Sequence, residues 1–470
     1  MIPENMRKQY QKAHDLIKNT NDTIQVYTHI DCDGMCSGAI ISTILDRQNK
    51  KHQLTFTNLN ELNNLQLDNE LTIFTDLGSG QEIDTNANKD NQLIILDHHP
   101  PLKPLNYHET VPYTYLEINP NYYGIDGSTS ICGGGLSYLL AKTFGYTDLS
   151  WIGVLASIGD MQNSKTGKLE GLNQLILNDA VKEGYIRVND DLSLYGRETR
   201  PIQVALSYFS DVKLPFTNNV NEAIALLKEL NIPIRDERDR PRTLSNLTGS
   251  EKGRLFSKLV EMISREVPIR YSRHIPKLLL GDTYDFLMEE EDSFLSDGSE
   301  FSTAMNACGR NQEYQVALDI LKGDRVLAYD QLLDVSRRHR FNLRKSVEDV
   351  LDIGITGMGN IQYVDTSSYC DVPNIGVVIG MILGYGDWRK PIVDIGRVED
   401  EDMMKVSLRC SRLLVFDGVH FGDIVRRVAG SVGGNGGGHA VACGAYIPKC
   451  RVGDFLSLLD CEVGVVKNNE

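Results

Sequence analysis

No CxxC pair and no regular cysteine spacing occur in this chain; its nine cysteines are scattered at Cys32, Cys36, Cys132, Cys308, Cys370, Cys410, Cys443, Cys450 and Cys461. A disulfide framework is thereby excluded, and the pattern reads as reduced thiols inside a cell. No stretch reaches the roughly 18 apolar residues of a membrane span, and the opening MIPENMRKQYQKAHDLIKN is charged and lacks the apolar centre of a signal peptide. The expectation is a cytoplasmic protein with no membrane partner. Basic charge is also short: 48 lysines and arginines face 64 acids, for a net charge of −16. A general polyanion-binding surface is excluded, so any nucleic-acid site must be local.

What is present is α/β patterning and an unusual placement of acids. The 470 residues leave room for roughly two to four domains. Ile24–Tyr27, Leu71–Thr75 and Leu93–Leu96 are short β-branched runs that predict buried strands of a parallel sheet. Met35–Asp46 and Gly133–Phe144 predict helices packed on it. In such sheets the carboxyl ends of the strands open onto the ligand crevice. Acids follow all three strands: His29, Asp31 and Asp33 in "THIDCDG", Asp76 in "FTDLGSG", and Asp97, His98 and His99 in "LDHHPP". Asp160 ends the apolar helical stretch "WIGVLASIGD". One acid after a strand is ordinarily a cap or turn former. So many at one sheet edge require cations, because unpaired buried carboxylates repel. Carboxylate mixed with imidazole suits Mn²⁺ or Mg²⁺, and two such ions could activate a water and clamp a phosphoryl group.

"HIDCDG", "DLG", "DHH" and "SIGD", in that order, resemble the four motifs of the DHH phosphoesterase superfamily, which includes RecJ exonucleases, oligoribonucleases and cyclic-dinucleotide phosphodiesterases. The resemblance implies that His29, Asp31 and Asp76 hold one metal ion and that Asp33, Asp76, His98 and Asp160 hold a second, with Asp76 bridging. It implies two Mn²⁺ ions, Mg²⁺ being the alternative. Asp97 would orient an imidazole, His99 would face the scissile phosphate, and Arg310 in "MNACGR" would clamp a phosphate. "KVSLRCS" and "GSVGGNGGGHAVACGAYIP" resemble the serine–x–arginine strand and GGGH loop of the associated DHHA1 domain. Ser407, Arg409, Gly436, Gly437, Gly438 and His439 are then the substrate-binding candidates.

The expected architecture is two α/β domains. A parallel-sheet DHH domain over 1–320 carries a mainly helical insertion at about 164–292, a connecting helix covers 321–352, and a smaller DHHA1 domain covers 353–470. The connecting stretch keeps apolar residues at helical spacing and carries Arg337, Arg338, Arg340, Arg344 and Lys345, which read either as a solvated face or as a local nucleic-acid groove. The resemblance points to a single-strand exonuclease of the archaeal RecJ-like group, acting on DNA or RNA in replication or repair, with GINS or other replisome proteins as partners. A small-substrate phosphodiesterase and a replisome scaffold are the alternatives.

Overall fold

The computed structural model describes residues 2–65, 67–83, 86–368, 374–398, 402–416 and 418–468; Cys370 lies outside them. The chain divides into two compact units, 1–190 with 282–337, and 191–281 with 338–470. Residues 191–281 of the stretch expected as an insertion at about 164–292 thus share a unit with the C-terminal segment, and the remainder belongs to the first unit.

The first unit is built on five parallel strands, β1 Ile24–His29, β2 His52–Thr57, β3 Leu71–Thr75, β4 Gln92–Leu96 and β5 Thr114–Ile118, in the order β2-β1-β3-β4-β5. Every residue of β3 is buried, and its neighbours alternate between two cores. Ile73, Ile94 and Leu96 join the larger one, whereas Phe74, Leu93 and Ile95 join a smaller one on the opposite face. Burial on both faces explains the continuous apolar runs. Helices α1 Glu4–Asn19, α2 Cys32–Arg47, α3 Gly133–Thr143 and α4 Ser150–Gly159 contribute to the larger core, as does the Gly298–Arg310 helix. A two-stranded ribbon of β6 Ile186–Leu192 and β7 Leu280–Phe286 follows in the chain.

In the second unit, the helical residues 192–279 bury a core with Trp388 and Leu413. Arg412 fastens it, donating to Asp211 Oδ2 from Nε at 2.8 Å and to Leu278 O from Nη2 at 2.9 Å. Beside it lies a six-stranded mixed sheet of β8 Thr356–Gly357, β9 Gln362–Asp365, β10 Ile392–Arg397, β11 Met403–Arg409, β12 Asn435–Gly438 and β13 Ala442–Pro448, ordered β12-β13-β11-β10-β9-β8. The connecting helix is one element, Leu327–Ile353. No described helix is long and apolar enough to cross a membrane.

Candidate metal centre

The predicted acids converge because β1, β3 and β4 are parallel neighbours whose carboxyl ends share one edge of the sheet. His29 Nδ1 lies 3.1 Å from Asp31 Oδ2 and 3.4 Å from Asp76 Oδ2. His98 Nε2 lies 3.3 Å from Asp76 Oδ1, 3.6 Å from Asp33 Oδ2 and 3.8 Å from Asp160 Oδ2. Asp76 therefore stands between two imidazoles and offers one oxygen to each. It does so from a left-handed backbone, φ 58°, which aspartate tolerates better than most residues.

Each ligand candidate is held from behind. Asp31 caps α2 by accepting from the Gly34 N–H at 3.0 Å. Asp33 accepts the first two amides of α3, Gly133 N–H at 2.8 Å and Gly134 N–H at 2.6 Å, the favourable place for an anion. Side chains are excluded there: a Cβ on Gly133 would lie 2.6 Å from the Asp76 Cβ, and one on Gly134 2.3 Å from that of Ala156. His98 Nδ1 donates to Gly127 O at 2.6 Å, which leaves Nε2 facing the carboxylates. Asp97 is fully buried; it accepts Ser79 N–H at 2.8 Å and His99 Nδ1–H at 2.8 Å. Burial raises the Asp97 carboxyl, but His99 and the Ser79 amide more than offset it and hold it well below the usual range.

Sequence reasoning missed three side chains in this arrangement. Gln162 Nε2 donates both to Asp160 Oδ2 at 2.7 Å and to Gly127 O at 2.9 Å, the carbonyl that holds His98. Asn173 Nδ2 in turn donates to Gln162 Oε1 at 2.8 Å. The only signal was a glutamine two residues after "SIGD". Asn306 accepts the Cys32 N–H at the start of α2 at 3.0 Å, so "MNACGR" anchors the His29–Asp33 loop through its asparagine. Arg310 ends the same helix and interacts electrostatically with Asp31. We expect Gln162→Leu to weaken Mn²⁺ binding about 10–100-fold, the usual effect of removing a group that orients ligands. Titration calorimetry checks this, and unchanged affinity would remove Gln162 from any positioning role.

The donor set fits divalent cations. His29 Nδ1, His98 Nε2 and Asp76 Oδ2 are buried without a hydrogen bond, an unfavourable state for polar atoms. Burial, with the charges of Asp76 and Asp160, pushes the Asp33 carboxyl up. Burial pulls the His29 and His98 imidazoles down, but the surrounding carboxylates more than reverse it and raise both well above their ordinary value. The cluster thus retains protons that a cation would replace. Three groups could hold ions: His29, Asp31 and Asp76; Asp33, His98 and Asp160; and Asp76, Asp97, His98 and His99.

The C-terminal candidates meet within the second unit through strand register. Ser407 on β11 is paired with Asp394 on β10 and with Gly444 on β13, and Gly444 is paired with Gly437 on β12. Ser407 is buried, and Arg409 Nη1 donates to Leu408 O at 2.7 Å. The resemblance suggested a GGGH loop, but Gly436, Gly437 and Gly438 form edge strand β12, and His439 closes its turn by donating N–H to Ala442 O at 2.9 Å. Pairing with β13 satisfies backbone groups that an isolated glycine run would leave to solvent. Asp394, unremarked in the sequence, is fully buried, accepts from Thr366 Oγ1 at 2.7 Å, and is pushed up to about 7 by burial.

Residues 23–155 match the DHH family N-terminal domain, 194–276 the DHH-CID domain and 362–464 the DHHA1 domain. The uncharacterized protein MJ0831 of Methanocaldococcus jannaschii is 30% identical over 472 residues, covering 97% of this chain and 98% of that one. Among solved structures, CDC45 from Entamoeba histolytica is similar with a TM-score of 0.62 at 13% identity, covering 97% of this chain and 99% of the other. RecJ in complex with Mn²⁺ from Thermus thermophilus is similar with a TM-score of 0.58 at 13% identity, covering 99% of this chain and 55% of RecJ. These two likenesses are of fold.

Proposed function

Because this chain belongs to the RecJ-like DHH–DHHA1 family, whose membership supports a phosphoesterase or nuclease, we propose that it is a metal-dependent exonuclease of single-stranded nucleic acid. The observation that carries the reading is Asp76, buried between two imidazole–carboxylate groups with one oxygen toward each. In this reading His29, Asp31 and Asp76 hold one ion, and Asp33, Asp76, His98 and Asp160 hold the other. The carboxylate-rich set favours Mn²⁺, with Mg²⁺ as the alternative. Such ions, when bound, make a nucleophile of water at neutral pH and stabilise the oxygens of an in-line displacement. The protein's own groups position the substrate. His99, whose side chain is 44% exposed and tied to Asp97, faces the scissile phosphate. Arg310 clamps a neighbouring phosphate with two parallel N–H donors. Ser407, Arg409, His439 and the glycines of β12 are, in this reading, substrate-binding groups.

End-labelled single strands in Mn²⁺ test this. Linear strands should shorten from one end, closed single-stranded circles should survive, and blunt duplexes should react poorly. Equal cutting of circles and linear strands would sink the exonuclease reading. We further expect Arg409→Ala and His439→Ala to lower kcat/KM for a strand of about 20 nucleotides far more than for bis-p-nitrophenyl phosphate, because remote contacts add value as the substrate lengthens. A wild-type preference for dinucleotides or cyclic dinucleotides would instead assign a small-substrate phosphodiesterase.

A further inference from the structure

The metal centre leaves one conspicuous feature unused, the outward face of the Leu327–Ile353 helix within the second unit. His339, Ser346 and Val350 are buried and fix the inward face. Phe341, two residues from His339 and so turned away from it, is 70% exposed. Arg338 lies three residues before Phe341, Arg344 three after and Lys345 four after, spacings that gather all four on one stripe. From Asp334 to Glu348 the sequence carries Arg337, Arg338, Arg340, Arg344 and Lys345 and no intervening acid, within a chain of net charge −16. Arg344 keeps an exposed ion pair with Glu348 at 3.0 Å, a contact worth little in water. Lys345 has no ion pair among the described residues. At the centre of this basic stripe the Phe341 ring forgoes the stabilisation of burial and stands open to a flat partner.

We propose that this face is a stacking platform for single-stranded nucleic acid. One base lies on the Phe341 ring, and Arg338, Arg344 and Lys345 hold the phosphates around it. From Arg338 to Lys345 the helix rises about 10 Å at about 1.5 Å per residue, room for about three nucleotide steps of about 3.4 Å. The chemistry selects the occupant. A single strand brings a bare base face and a phosphate together at every step, which matches one ring set among cations, whereas a duplex hides its base faces in the stack.

This rests on the nuclease reading above, so the test separates the two. The full-length protein is titrated in excess EDTA, where nothing is hydrolysed, into fluorescein-labelled oligo(dT) of about 20 nucleotides, and anisotropy is read at several salt concentrations. Phe341→Ala should weaken binding about tenfold, the order expected for one lost stacking contact, without changing the salt slope. Phe341→Trp should bind as well as wild type. Lys345→Ala should lower the slope of log K against log salt by about 0.7, one single-strand phosphate contact. Both side chains are exposed, so equal melting temperatures will confirm that the variants fold. Wild-type affinity in Phe341→Ala and Lys345→Ala, or a wild type that binds no single strand, overturns the platform, and capture of an acidic protein by this face in its place does the same. Hydrolysis of bis-p-nitrophenyl phosphate by the Mn²⁺-loaded wild type is scored separately: its absence overturns the nuclease reading and leaves the binding result readable.

Discussion

Asp76→Asn should reduce hydrolysis of any phosphodiester by roughly 10³-fold or more, the scale of about 4 kcal/mol of charge stabilisation supplied by bound cations. Asparagine is the informative substitution because it tolerates the left-handed backbone at φ 58° and keeps the side-chain shape, whereas alanine would add backbone strain. The loss follows from position. Asp76 Oδ1 lies 3.3 Å from His98 Nε2 and Oδ2 lies 3.4 Å from His29 Nδ1, so one lost charge weakens both groups. A second readout does not depend on turnover. Mn²⁺ at about 100 times its Kd should stabilise the wild type by about 2.7 kcal/mol, and this metal-dependent rise in melting temperature should vanish in the variant. Asp97→Ala should cost only about 10–100-fold, since Asp97 acts through His99. Near-normal turnover of Asp76→Asn in saturating Mn²⁺ would end the shared-ligand assignment.

Gly309→Ala should destabilise the protein by about 2 kcal/mol and weaken Mn²⁺ binding about 10–100-fold at once. A Cβ on Gly309 would sit 1.8 Å from the backbone oxygen of Ile30, and neither backbone can yield cheaply. The Gly298–Arg310 helix must therefore move off the β1–α2 loop. Asn306 would then release the Cys32 N–H that it holds at 3.0 Å, and the loop carrying His29, Asp31 and Asp33 would lose its anchor. Urea unfolding and calorimetry read the two effects. Gly253→Ala is the control, because an alanine there meets nothing within 4 Å in the interior of an exposed helical turn. It should stabilise by about 0.5–1 kcal/mol and leave metal affinity alone. A Gly309→Ala protein with wild-type urea midpoint and metal affinity would show that this close approach is dispensable.

Much of the first unit was legible because its strands are buried on both faces and read as apolar runs, and because parallel strands place whatever follows them at one edge. β2 and β5 were not singled out. The sequence of β2, HQLTFT, alternates polar residues on a half-buried edge strand, and TYLEI of β5 follows a loop rich in tyrosine and proline. Gln162 and Asn173 escaped notice, and Asn306 of "MNACGR" was given no role, since what an amide side chain does depends on which carboxylate or backbone group lies opposite. A run of glycines such as 436–438 reads as a loop because glycine is permissive, and only pairing with β13 makes it a strand.

By itself, the sequence determined the α/β class, the gathering of six imidazole and carboxylate side chains at one sheet edge, and the family, all of which follow from local periodicity and from motifs that lie on single segments. Tertiary structure alone decided that Asp76 turns one oxygen to each imidazole, that the Gly133 and Gly134 amides cradle Asp33, and that residues 191–281 form one compact unit with 338–470. The physical reason is the same in each case. These arrangements depend on close approach between segments far apart in the chain, where a few tenths of an ångström separate a contact from a clash, and no local pattern encodes that distance.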